Sequence, residues 1–419
     1  MARVRNILIL GVAVREVFSF WTGHPFDFET WVRIGYWLPR GLSPYHALPL
    51  APGLSFANDF DPTSTANIGY LPLWPLVLAA TYGLYSLVGF GDRFVYYFLI
   101  KQPIIFGDVL LAFLLYLYVA RVHPERAQKV MVLWLFSPFN ILLSGVWGMF
   151  DSMAMAFVML ALLVPPGRAR AAWEGVAILA KSIPVIGVLP LSYARKGKAL
   201  DLLVAIAVPS ISTLAVVLLA GWPLDSFTGT LGSTLGKAGL PLSLWGTWAY
   251  LDTIGAISGA TFNAVFGLGG YLWVPAVVAA SVLSWKWFGF DTDRGVVRSL
   301  LVVTLTFLLV RGQVNEQYAV YPLALLLVEA AIWSPERMRL FYALSAVIMV
   351  ATVTNNFLLI RFLAPVYPNA LQLESGLIAQ VNPLRNAALY LEGLAFCALN
   401  LWYLAALIKE RRKRGYDAT

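Results

Sequence analysis

The sequence predicts an all-α, polytopic integral membrane protein, and three observations lead there. Hydrophobic residues make up 59% of the 419 positions. Charged residues make up 12%, against roughly 25% in soluble domains. The apolar residues stand in long unbroken runs, with a mean hydropathy of +0.73. A water-facing surface cannot be built from so few charges. In lipid the same composition is a suitable exterior, provided that every backbone group is satisfied within its own helix. Membrane β-barrels show short alternating segments instead.

With about 20 residues per crossing, spans are expected at 6–22, 95–120, 130–147, 151–165, 200–221, 265–287, 297–311, 318–333, 340–360 and 387–408. The expected total is about 10–12 transmembrane helices. Residues 73–90 are apolar but carry Pro75, Gly83 and Gly89, and are read as a helix on the membrane surface. Residues 172–193, interrupted by Lys181 and Pro184, are read as two half-helices that enter without crossing. Both readings rest on the positive-inside rule. They put both termini, the loops around Arg121/Arg126/Lys129, Arg168/Arg170, Arg195/Lys196/Lys198, Arg294/Arg298 and Arg337/Arg339, and the tail from Lys409 to Arg414 in the cytoplasm. Three long outer segments follow, at 23–72, 222–264 and 361–386. Residues 30–40 of the first read as an amphipathic interfacial helix with Trp31, Tyr36 and Trp37 at headgroup level.

The net charge of +8 would fit a nucleic-acid partner, but the basic residues gather in short loops between spans, so membrane lipids are expected and nucleic acid is not. The single cysteine, Cys397, allows no disulfide within the chain. No cleavable signal is evident, and the first apolar run reads as a retained span. There is no Walker loop, no Gly-rich dinucleotide turn and no Cys/His cluster. With only His24, His46 and His123, no zinc site is expected. No cofactor is firmly implied, although carboxylates suit Mg²⁺ or Mn²⁺.

Several polar groups stand out against this background. Asp27-Phe-Glu29 opens the first outer loop. Partial burial at a membrane surface raises a carboxylate pKa and suits it to general-base work. Asp151 follows Trp147-Gly-Met-Phe150 at the outer end of one span and opens the next, where a helix N-cap is an equally good reading. Lys101 and Asp108 lie two turns apart on one face of an apolar run, and such groups face an interior partner or cavity. Lys181, in the broken hairpin, could neutralise a phosphate or snorkel. Finally, Arg311-Gly-Gln-Val-Asn315-Glu316-Gln317-Tyr318 is a dense polar turn between apolar spans. Arg311 there suits a phosphate and the remainder a sugar.

In order and spacing these motifs resemble those of the GT-C fold glycosyltransferases that use lipid-phosphate sugars. Asp27-Phe-Glu29 followed by Gly41-Leu-Ser-Pro-Tyr45 looks like the family's acidic first-loop motif and its sequel. Tyr70-Leu-Pro-Leu-Trp-Pro75 resembles a segment that precedes an interfacial helix. Lys101-Gln-Pro-Ile-Ile-Phe-Gly-Asp108 resembles a family span, and Ser137-Pro-Phe-Asn140, Trp147-Gly-Met-Phe-Asp151-Ser and Gln317-Tyr318 resemble further signatures. The likeness covers roughly residues 20–200 and 311–325. It is nearest to the enzyme that adds the first mannose to the glycosylphosphatidylinositol precursor, and to the dolichyl-phosphate-glucose glucosyltransferases and their archaeal relatives. The chain departs from the pattern at Met149, where the family has Gln, and at Glu29, where the mannosyltransferase branch has Asp.

The resemblance implies one transmembrane glycosyltransferase domain over 1–419. Within it lie an outer first loop with interfacial helices at 23–94, a most family-like module at 95–200 and a variable C-terminal module at 201–419. It implies inverting transfer of a hexose, mannose before glucose, from a polyprenyl- or dolichyl-phosphate carrier to an acceptor hydroxyl on the outer face. The acceptor is a lipid-linked glycan, a glycolipid or a protein. Asp27 is then the expected base. Glu29 and Asp151 orient sugar hydroxyls or support Asp27; by charge and predicted position alone, Arg311 and Lys181 are the candidates to face the leaving phosphate. Short loops and a single cysteine favour a prokaryotic plasma membrane, archaeal in type, over the endoplasmic reticulum. The alternative is a flippase or transporter of lipid-linked sugars, whose charged groups would lie near the bilayer midplane.

Overall fold

The computed structural model describes residues 2–56, 68–193, 198–235 and 242–416. Arg195 and Lys196 of one expected basic loop lie outside these residues, as do 57–67 and 236–241 of the long outer segments. Among the described residues all regular secondary structure is helical.

The chain opens with α1 (Ala2–Ser19), α2 (Asp27–Trp37), α3 (Leu73–Val88) and α4 (Arg93–Ala120). The next helices are α5 (Pro124–Leu135), the single turn α6 (Pro138–Ile141) running into a π-helical turn over Leu142–Trp147, and α7 (Asp151–Leu163). Then come α8 (Arg168–Ala180), α9 (Val188–Ser192), α10 (Lys198–Leu219), α11 (Leu224–Leu235), α12 (Leu244–Thr253) and α13 (Gly259–Gly269). The last five are α14 (Trp273–Phe288), α15 (Asp293–Val310), α16 (Val320–Ile332), α17 (Met338–Asn355) and α18 (Ala370–Tyr416).

Among the described residues four stretches are long and apolar enough to cross a membrane: α4, Ala199–Leu219 in α10, Pro335–Asn355 through α17, and Ala370–Glu410 in α18. A fifth is gained if α5 and the following Pro138–Trp147, bent by 52°, form one span. α10 turns Leu203, Ile206, Ile211, Leu214 and Leu218 outward, an apolar exterior suited to lipid. The other segments expected to cross are helical but too short or too charged to qualify. α1 carries Arg3, Arg5, Arg15 and Glu16, and α15 carries Asp293, Arg294 and Arg298. α7 has 13 residues. α16 also has 13 and is buried on every side, so it is a core helix.

Three expectations about elements are corrected. Residues 265–287 are split between α13 and α14, because Gly269-Gly270 gives the backbone no reason to stay helical. Most of 361–386 is helix, since α18 begins at Ala370 and runs through Pro383; Ala370, Leu373, Leu377, Val381 and Leu384 recur at helical spacing, a signal masked by Gly376 and Pro383. The segment read as an interfacial helix at 30–40 starts at Asp27, and Phe28 through Gly35 are buried in protein. Residues 73–90 do form one short apolar helix, α3.

α4 is the central strut, touching α1, α3, α5, α7 and α16. Its 28 residues span roughly 42 Å at 1.5 Å per residue. Midway along it, buried Asp108 accepts from Arg15 Nε (2.8 Å), Trp134 Nε1 (2.9 Å) and the Ser144 hydroxyl (2.9 Å). One carboxylate thus ties α1, α4, α5 and the π-helical turn together. A second knot joins Glu329 of α16 to Arg298 (2.8 Å) and Arg337 (2.9 Å), and Glu410 of α18 pairs with both arginines.

Removing one partner of a buried pair strands the other charge, at about 3–5 kcal/mol. Arg15→Leu and Asp108→Leu are each expected to lower stability by that order in detergent melts. The double variant is expected to recover part of the loss, because no charge is left unpaired.

Candidate functional site

Asp27 is held by the loop before it. Lys101 Nζ donates to Thr22 O (2.7 Å), Thr22 Oγ1 (2.9 Å), Gly145 O (2.7 Å) and Val146 O (3.1 Å). A single ammonium therefore fastens the chain entering α2 to the chain entering Trp147. Trp147 Nε1 then donates to Asp27 Oδ2 at 2.8 Å. The π-helical turn that delivers Trp147 is a rare element, most often found at functional sites. It ends at Gly148, with φ of +88°, where a Cβ would lie 2.6 Å from the Phe28 ring. Only glycine suits both the left-handed backbone and the contact.

His24 completes this corner. Its Nδ1 accepts from the backbone N–H groups of Phe26 and Asp27, both at 3.2 Å, and its ring stacks on Trp147 at 4.9 Å. Nδ1 is also 3.3 Å from Asp27 Oδ2, but a nitrogen that accepts two N–H groups carries no proton to share. Burial first, then the charge of Arg361, hold the imidazole well below its usual range. The contact is therefore no ion pair.

Asp27 opens on a cleft of about 180 Å³ lined by Thr30, Tyr70, Lys181, Ser182, Arg311, Gln313, Asn315 and Tyr318. On the far side Lys181 Nζ is 2.6 Å from Asp151 Oδ2. The ammonium lies 5.0, 4.9 and 5.6 Å from the ring centres of Tyr70, Phe150 and Tyr318. Arg311 lies 5.6, 5.1 and 5.6 Å from those of Trp273, Phe307 and Tyr318. Both cations are thus held among aromatic faces, which attract them. Asp151 does not cap α7; Phe150 occupies the cap, and Asp151 is the first helical residue.

The predicted site residues separate into two groups. Asp27, Lys181, Arg311, Asn315 and Tyr318 line the cleft, and Asp151 reaches it through Lys181. Glu29 does not: it is fully buried, binds Arg33 Nε at 2.7 Å and accepts from the Phe56 N–H at 3.0 Å. Lys101 and Asp108 share a helix but not a partner, and both serve the scaffold. Glu316 accepts from Asn355 Nδ2 at 2.8 Å, and it and Gln317 are buried beside the cleft without lining it. Met149, where the resembling family has Gln, is buried in the core. Sequence reasoning did not single out His24, Thr30, Tyr70 or Trp147 as site residues. The signal for Glu29 was present, because Arg33 stands four residues on and i,i+4 pairs meet on a helix.

Burial pushes Asp27 up to about 6, against the Trp147 N–H and the Lys181 charge, which pull it down, while Asp151 adds to the rise. Burial likewise pushes Glu316 up to about 7, opposed by Asn355 and Arg361. With Glu29 turned onto Arg33, the D-x-E pair presents one carboxylate to the cleft, not two. Among the described residues no group of three His, Cys, Asp or Glu stands close enough to hold a metal.

Next to the cleft lies an apolar groove of about 350 Å³ between α8, α10 and α11, lined by Leu71, Ile178, Val185, Pro209, Leu214 and Phe227. In sequence its Leu71 follows Tyr70 of the cleft, and its Val185 stands three residues after Ser182. No protein-family model matches the chain, and no curated protein matches it.

An acid whose pKa rises on folding favours the fold while protonated. That contribution is complete below the unfolded value near 3.8 and is lost as pH climbs through about 6. Ionised Asp27 therefore weakens the fold at pH 8 by on the order of 2–3 kcal/mol. Asp27→Asn is expected to melt above wild type at pH 8, with the gap closing towards pH 4.

Proposed function

We propose that the chain is a GT-C-type glycosyltransferase that moves a hexose from a polyprenyl-phosphate carrier to an acceptor hydroxyl, with inversion. The observation that carries this reading is the pairing of one base with two cations across a single cleft. Asp27 faces Lys181 and Arg311 there, and an apolar groove of about 350 Å³ is lined by Leu71 and Val185, close in sequence to Tyr70 and Ser182 of the cleft. A lipid-phosphate sugar needs all three: an apolar track for the prenyl chain, cations for the phosphate and a base beyond the sugar.

Asp27 takes the proton of the acceptor hydroxyl as its oxygen forms a bond to C1 of the sugar. The bond from C1 to the phosphate oxygen breaks on the opposite face, and the electron pair leaves with the lipid phosphate. That group gains negative charge as it departs, so Arg311 and Lys181 stabilise the transition state more than the ground state. The Tyr70 and Tyr318 rings and the Asn315 and Thr30 side chains provide faces and hydrogen bonds for a hexose. A base near 6 is ionised at neutral pH yet basic enough to accept a proton in the transition state. The mannose preference, the acceptor class and an outer-face location are part of this proposal through the family resemblance.

A flippase of lipid-linked sugars is the second reading. Glu174 favours it: this carboxyl on α8 is fully buried, and neither oxygen has a hydrogen-bond partner among the described residues. An unpaired acid inside a membrane domain is a common feature of transport pathways. Labelled carrier crossing vesicles with no sugar transferred would decide for it.

With purified protein, polyprenyl-phosphate-mannose or -glucose and candidate acceptors, Asp27→Asn is expected to lower kcat at least about 10²–10⁴-fold. Near-wild-type turnover would refute the assignment. The kcat/KM profile is expected to fall on the acid side with an apparent pKa of about 6. Trp147→Phe removes a donor that favours the ionised carboxylate, so its acid limb is expected at higher pH.

A further inference from the structure

α5 and α16 each run from the cleft region to the other end of the molecule. α5 starts at Pro124 and leads through the π-helical turn to Trp147, while α16 starts after Tyr318 and ends at Ile332. At that far end a second cavity, of about 250 Å³, lies between α5, α16 and the start of α17. Its walls are apolar: Val130, Ala330, Ala331 and Met338. Its polar lining is cationic, from Arg126 and Lys129 one helical turn apart on α5. Arg126 Nη1 donates to Ala331 O at 2.8 Å, which fixes the guanidinium at the edge of the cavity. Lys129 is exposed and makes no hydrogen bond or ion pair among the described residues.

Charges on the surrounding elements do not cancel this. Glu125 lies 3.7 Å from Arg126 and 3.1 Å from His123 Nδ1. Arg121 precedes the helix and donates to Leu163 O, while exposed Glu336 and Arg339 flank the α17 side. The first turn of α17 also faces the cavity, bringing the positive end of an 18-residue helix. A free anion would be served by the cations alone and would gain nothing from the apolar walls. An amphiphile uses both.

We propose that this cavity binds an anionic phospholipid, with the phosphate between Lys129 and Arg126 and the first acyl methylenes against Val130, Ala331 and Met338. Basic pockets between membrane helices are suited to such headgroups. The proposal is independent of the chemistry at Asp27, and its test needs no activity.

The full chain in detergent is offered an equimolar mixture of phosphatidylglycerol and phosphatidylcholine with matched acyl chains, and retained lipid is read by native mass spectrometry. One phosphatidylglycerol is expected to be retained in preference by at least about fivefold, the scale of one basic side chain near a lipid surface. Lys129→Gln is expected to lose about fivefold of that preference, and Lys129→Glu to abolish it. Lys129 is exposed, so both variants are expected to melt like wild type. Ala330→Leu, which fills the wall and leaves the charges alone, is expected to reduce retention of both lipids at this site. Equal retention of the two lipids by wild type, or unchanged preference in Lys129→Glu, overturns the proposal. Displacement of the phosphatidylglycerol by millimolar inorganic phosphate also overturns it, in favour of a free-phosphate site.

Discussion

The fold depends on one buried carboxylate. Asp108 gathers Arg15, Trp134 and Ser144 around itself, and these come from the first helix, the fifth and the π-helical turn. In a membrane domain, apolar packing between helices gains little over packing against lipid, so close van der Waals fit and buried polar ties fix which faces meet. The Arg15–Asp108 pair also sets the register of the turn that carries Trp147. Two turns earlier on the same helix, Lys101 reads four acceptors in the two incoming chains. α4 therefore acts twice, once to hold the bundle and once to bring Asp27 and Trp147 within hydrogen-bond reach. Small errors in such supporting groups are costly in catalysis, because geometry at the reacting atoms is set far from them.

Much of the architecture was legible in composition. The all-helical class, the short helix at 73–88 and the break at Lys181 follow from apolar run lengths and from Pro and Gly punctuation. Span count was less legible, because a run of 13 apolar residues reads alike whether it faces lipid or is wrapped by other helices. α16 is the clearest case: it is apolar all round, and it is buried all round. The start of α18 was missed for another reason: Ala370, Leu373, Leu377, Val381 and Leu384 do stand at helical spacing, but Gly376 and Pro383 punctuate them and made the stretch read as a loop.

The site was legible only in part. Asp27, Lys181, Arg311 and Tyr318 were visible as polar residues in unfavourable surroundings, and their convergence was suggested by motif order. Their partners were not visible. Arg15 and Asp108 are 93 positions apart, and Trp147 and Asp27 are 120 apart; no local pattern encodes such pairs. Lys101 and Asp108 were misplaced for a related reason. An intramembrane charge announces that it has a partner but does not say whether that partner is a ligand or the scaffold. Arg15, inside the first apolar run, was itself such an announcement.

The choice of Asp27 over the other carboxylates rests on charge pairing. Asp108 faces Arg15, Glu29 faces Arg33, Asp151 faces Lys181 and Glu329 faces two arginines. Each is committed to a cation partner. At Asp151 burial outweighs the Lys181 charge and still raises the carboxyl, but Asp151 does not line the cleft. Asp27 and Glu316 have neutral donors instead, Trp147 and Asn355, and burial raises both. Glu316 is beside the cleft but does not line it. Glu174 has no hydrogen-bond partner among the described residues and lines a separate small cavity. Among the described carboxylates, Asp27 alone combines a raised proton affinity with a face on the cleft. The Lys181–Asp151 pair strengthens that assignment, since Asp151 keeps the ammonium from neutralising Asp27 in full. A cation left wholly to Asp27 would have drawn its pKa down and turned the base into one more structural carboxylate.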